Sequence, residues 1–113
     1  MNLVTLYGRL VKDPELRYNQ NGRASAFATI AVDRGLSKEK RQEAESNGQA
    51  TADFIPVKAF GKTAETLSTY FKKGNKIILE GKIQTGSYVH DQKTVYTTDV
   101  MVTKIYFVEK KEK

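Results

Sequence analysis

The stretch from Ala52 to Phe60, reading ADFIPVKAF, constrains the fold more tightly than any other part of the chain. In an extended strand, successive side chains point to opposite faces. Ile55, Val57 and Ala59 then share one face, while Phe54, Lys58 and Phe60 share the other. A hydrophobic core accepts only the first of these, so the second is left facing water or a ligand. Pro56 donates no ladder hydrogen bond, which points to an edge position or a bulge. The same two-residue period recurs along the chain. Leu3 to Val11 sets Val4, Leu6 and Leu10 against Thr5, Tyr7 and Arg9. Ala26 to Val32 turns Ala26, Ala28, Ile30 and Val32 inward. Lys76 to Ser87 does so with Ile77, Leu79, Gly81 and Ile83, and Val95 to Val108 reads as a long final strand.

The connections carry their own signals. Asp13-Pro14 breaks the first strand, and Asn19 to Gly22 is a turn-rich cluster. Gly35 to Ala50 lacks aromatic and β-branched residues, so it is expected as a long mobile loop, with nothing to anchor a helix. Lys62 to Lys73 changes period: Ala64, Leu67 and Phe71 recur at helical spacing, with Thr63 as the expected cap and Gly74 as the stop. Tyr88 to Thr94 reads as a polar hairpin loop. The resulting order is three strands, one helix and two strands. Five strands with a single short helix between the third and fourth predict an all-β barrel, since closure removes exposed edges.

With 113 residues the chain fits one compact domain. It carries 19 Lys plus Arg against 13 Asp plus Glu, a formal charge of +6, which favours an anionic partner and would also draw it to a membrane surface. It has no cysteine, so disulfides and thiolate metal sites are excluded and a reducing compartment suits it. No apolar run approaches the roughly 20 residues of a membrane helix. The opening MNLVTLYGRL lacks the pattern of a signal peptide. A cytoplasmic protein is therefore expected.

Catalytic chemistry finds little to work with. Gly61-Lys62-Thr63 resembles the end of a phosphate-binding loop, yet Pro56 stands where that loop requires its first glycine. His90, the only histidine, has no second imidazole or thiol to complete a metal shell. Asp33, Asp53, Glu80 and Asp99 fall on separate segments, whereas a metal-dependent nuclease needs converging carboxylates. Neither catalysis nor a cofactor or metal is expected.

The aromatic residues carry a stronger argument. Phe54 and Phe60 would lie about 20 Å apart on one strand face, room for several nucleotides. Tyr88 adds a third exposed ring where the hairpin begins. Rings interleaved with cations suit a flexible polyanion bearing flat bases, since stacking is worth about 1–3 kcal/mol per base whatever its identity. Arg34, Lys58, Lys62, Lys72 and Lys73 are the candidate phosphate contacts. Few bidentate arginines are available to read duplex grooves. These residues point to single-stranded nucleic acid, with an RNA-binding barrel as the alternative.

Three stretches, YGRLVKDPELRYNQNG, ADFIPVKAFGKTAETLSTYFKKG and LEGKIQTGSY, together with TTDVMV near the end, resemble the bacterial-type single-stranded DNA-binding proteins. The resemblance spans about residues 1–109 and leaves 110–113 as a short charged end. It implies an oligonucleotide/oligosaccharide-binding (OB) fold that coats and protects single-stranded DNA during replication, recombination and repair, associated with the nucleoid. The family's stacking positions fall on Phe54, Phe60 and Tyr88. Its further stacking residue after the second strand has no aromatic counterpart between Arg34 and Ala50. The resemblance also implies a homotetramer, with Leu3 to Val11 contributing to one interface. Relatives typically continue into a linker and an acidic tip that recruits replication and repair enzymes. Here Glu109-Lys110-Lys111-Glu112-Lys113 carries no such tip, so recruitment by a tail is not expected.

Overall fold

A computed structural model describes residues 1–108. Its elements are β1 (Val4–Leu10), β2 (Glu15–Tyr18), β3 (Ala24–Asp33), α1 (Lys38–Ser46), β4 (Ala52–Phe60), α2 (Gly61–Tyr70), β5 (Lys76–His90) and β6 (Lys93–Phe107). The charged end from Glu109 onward lies outside the described residues.

The sheet runs in the order β1-β5-β6-β4-β3-β2, and β1 also pairs with β3 through Arg9–Ala31 and Leu10–Ile30. That second pairing closes β1, β3, β4, β5 and β6 into the five-stranded barrel that the alternation predicts. β2 is an extra, short strand on β3, paired from Glu15–Phe27 to Tyr18–Ala24. The sequence hides it because it has four residues and offers the interior only Leu16, half-buried.

Alternation decides which side chains enter the barrel. Ala26, Ala28 and Ile30 of β3, Val57 and Ala59 of β4, and Ile77 and Leu79 of β5 form the core with Val100 and Val102 of β6. α2 closes one end with Ala64 and Leu67, followed by Phe71, which stacks on Phe107 at 5.2 Å between ring centroids. Between β5 and β6 the register slips at Glu80/Gly81. A Cβ on Gly81 would lie 2.1 Å from the Met101 carbonyl oxygen, so the bulge exists because glycine lets two backbones meet there.

Four expectations need correction. Residues 35–50 are not an unstructured loop, because α1 forms within them. Ser37 Oγ accepts a hydrogen bond from Lys40 N at 3.2 Å, Arg41 pairs with Asp33, and Ala44 is buried. Strong helix formers from Lys38 to Glu45, held by a cap and one ion pair, replace the apolar face that the sequence lacks. Thr63 does not cap α2. The helix begins at Gly61, directly after Phe60, and no side chain caps it. Tyr88 to Thr94 is not a loop either: β5 and β6 stay paired to His90–Lys93. Asp91 and Gln92, at φ 52° and 66°, make a two-residue turn. Finally, Ile83 is 48% exposed rather than buried, although its β6 partner Val100 is in the core; the pairing of β1 with β5 ends at Val4–Gly81, before Ile83. Pro56 meets the edge expectation locally: it pairs with Thr29 on one side, and β6 joins β4 at Val57 and Lys58, after the proline, so the missing N–H costs no ladder bond on that side.

The tether of α1 responds to pH. The Gly35 backbone N–H and then the Arg41 guanidinium hold the Asp33 carboxyl below its ordinary value of 3.8. A depressed pKa means the interaction is intact at neutral pH and is lost as pH falls below that value. Hydrogen-exchange protection in residues 38–46, taken relative to the intrinsic rate at each pH, should fall on acidification before that of the barrel strands. Asp33→Asn should lower that protection already at neutral pH.

Candidate nucleic-acid interface

The outer face of the sheet gathers residues from four strands. Across β3 and β4, Phe54 lies opposite Ala31, Lys58 opposite Phe27, and Phe60 opposite Ser25. On its other side Lys58 is paired with Met101 of β6, which is opposite Lys82 of β5. Following β5 outward on the same face leads through Gln84 and Gly86 to Tyr88. Three rings named from the sequence therefore share one face: Phe54 is 61% exposed, Phe60 43% and Tyr88 55%. Their inward neighbours Val57 and Ala59 are sealed in the core, so neither phenylalanine can turn inward without breaking the strand.

The sequence reading missed Phe27, 42% exposed and cross-strand from Lys58. Its signal was available: it alternates out of phase with Ala26 and Ala28. Beside Phe60, Asn19, Arg23, Ala24 and Ser25 complete a depression of about 550 Å³. Its mouth brings an arginine next to the last ring of β4.

The cations are arranged less simply. Lys58 belongs to the aromatic face, but its ammonium stands 3.6 Å from Asp99 Oδ2. Arg34 is held by Asp53, with Nη2 2.9 Å from Oδ1, and also donates to the Ala50 carbonyl. Lys62 is exposed in the first turn of α2, just after Phe60. Lys72 and Lys73 stand apart from the rings, beyond the far end of α2. There Lys72 Nζ donates to the Ser68 carbonyl and the Lys73 backbone donates to Asp13 Oδ1. The structure thus brings together Phe54, Lys58, Phe60 and Tyr88 but not the Lys72–Lys73 pair.

Among the described residues, no group of three or more His, Cys, Asp or Glu side chains is placed to hold a metal. His90 is exposed at the hairpin tip beside Asp91. No helix among them is long and apolar enough to cross a membrane.

A five-stranded barrel closed by its first strand, with a helix between the third and fourth barrel strands, defines the OB-fold class of small binding barrels. Residues 1–108 match the family described as the single-strand binding protein family, and the chain belongs to it. It is 44% identical over 111 residues to a single-stranded DNA-binding protein of Fusobacterium nucleatum, an alignment covering 98% of this chain and 69% of that protein. A protein of the same name from Clostridium perfringens is also 44% identical, over 96% of this chain and 67% of its own length. One from Bacillus cereus is 41% identical, over 96% and 61%. The chain spans roughly two thirds of the length of these relatives.

Proposed function

We propose that this protein binds single-stranded DNA without reading its sequence, and so coats and protects the strand during replication, recombination and repair. The observation that carries the reading is the single outer face on which Phe27, Phe54, Phe60 and Tyr88 stand exposed around Lys58. Unpaired bases present flat surfaces to such rings; a duplex keeps its bases stacked on one another. The formal charge of +6 draws in the phosphate chain and releases its counterions, so affinity falls as salt rises. Phe54, Phe60 and Tyr88 are the stacking residues. Arg34, Lys58 and Lys62 line the path, with Lys72 and Lys73 as a more distant basic contact. The protein acts by binding rather than catalysis, in the cytoplasm at the nucleoid. It works as a homotetramer in which the β1 edge from Val4 to Gly8, paired only with β5, meets another copy.

Anisotropy of labelled oligo-dT tests this directly. The expected result is tight binding that weakens with salt, much weaker binding to duplex DNA of the same length, and no preference for matched RNA. Equal affinity for duplex or for heparin would overturn it. Light scattering of the free protein reports the tetramer.

A further inference from the structure

We infer that Asp99 acts as a built-in competitor for Lys58, holding the ammonium that an incoming phosphate must take and so limiting affinity for single strands. The inference rests on the nucleic-acid reading above.

The geometry behind it is local. Lys58 lies on β4 between Phe54 and Phe60, four residues after the first and two before the second, so a backbone joining bases stacked on those rings passes over its ammonium. That ammonium stands 3.6 Å from Asp99 Oδ2, and only 23% of the Lys58 side chain and 25% of the Asp99 side chain remain exposed. Asp99 reaches this place because it lies two residues before Met101, the β6 partner of Lys58, on the same strand face. The other pairs near this face, Arg34–Asp53 and Arg17–Glu15, are far more exposed, and water and salt screen them accordingly. Lys58–Asp99 is the pair sheltered enough for an exchange to matter.

The carboxylate acts on a phosphate in two ways. It repels the phosphate through space, whether or not Lys58 is present. It also holds the ammonium, a contact that must break before Lys58 can engage the strand. Only the second effect depends on Lys58, and a double-mutant cycle isolates it.

The experiment titrates labelled oligo-dT with the full chain and with the Asp99→Asn, Lys58→Ala and doubly substituted proteins, across a range of salt. Asp99→Asn should bind about tenfold more tightly at about 0.1 M salt, equivalent to about 1.4 kcal/mol. Its plot of log affinity against log salt should steepen by about 0.7, one additional phosphate contact. Combined with Lys58→Ala, the same substitution should gain about twofold or less. Lys58→Ala alone should weaken binding by less than about threefold, because its contact is offset by the one it gives up. Asp99→Ser repeats the series without an amide that could itself bond Lys58, and thermal melting establishes that each variant is folded. No gain from either Asp99 substitution, or equal gains with and without Lys58, overturns the competitor role while leaving the binding function intact. Failure of the unsubstituted protein to bind oligo-dT removes the functional reading, and this inference with it.

Discussion

Phe54→Ala and Phe60→Ala should each weaken binding of oligo-dT by between about fivefold and a hundredfold, the ~1–3 kcal/mol of one stacked base. Both rings stand well clear of the core, at 61% and 43% exposure, so their removal opens no cavity and the melting temperature should stay within a few degrees. The slope of affinity against salt should also hold, because neither ring carries charge. This combination separates a stacking surface from a structural one. A phenylalanine that mattered for packing would lose stability and affinity together. Unchanged affinity in both variants would remove the aromatic face from the mechanism.

Leu67→Ala should produce a large loss of stability. Leu67 is fully buried on α2 and packs into the end of the barrel with Ala64 and Phe71. Truncating a buried leucine costs about 2–5 kcal/mol, from lost transfer energy and the cavity left behind. For a domain of this size that corresponds to a fall in Tm on the order of 10 to 30 °C. At temperatures where the variant remains folded, its affinity for oligo-dT should be close to that of the unsubstituted protein. A Tm lowered by only a few degrees would mean that α2 can detach from the barrel without consequence.

The barrel was legible because its strands bury one face and expose the other. Where apolar residues recur at every second position, as in Ala26 to Ile30 and Ile55 to Ala59, the face that enters the core follows from the pattern alone. The helical stripe of Ala64 and Leu67 was legible for the same reason at a different period, although the helix ends at Tyr70, and Phe71, expected on that stripe, follows it in extended backbone. What escaped notice was stabilised by something other than burial. α1 rests on Ser37 and the Arg41–Asp33 pair, and neither forms a periodic pattern. The hairpin extends to a two-residue turn at Asp91-Gln92, which lacks the glycine that normally marks such a turn.

The candidate site divides in the same way. Phe54, Phe60 and Tyr88 could be placed because a strand fixes the direction of each side chain. Phe27 obeys the same rule: with Ala26, Ala28 and Ile30 turned inward it must face out, so its place was legible in the alternation although it was not named. The cations could not be sorted from sequence. Whether a lysine is available to a phosphate depends on which carboxylate folds up beside it. Asp99 lies some forty residues from Lys58 in the chain and comes beside it only through the parallel pairing of β4 with β6.

Ring resonances give the most direct test of where the bases sit. With phenylalanines isotopically labelled, an adenine-containing single strand is added and the Phe54 and Phe60 side-chain signals are followed by NMR. Bases lying flat on the rings should move both sets upfield, while the signals of Phe71, buried in the core, stay where they are. If the strand binds and the Phe54 and Phe60 signals do not move, the bases lie elsewhere and the aromatic face is not the binding surface.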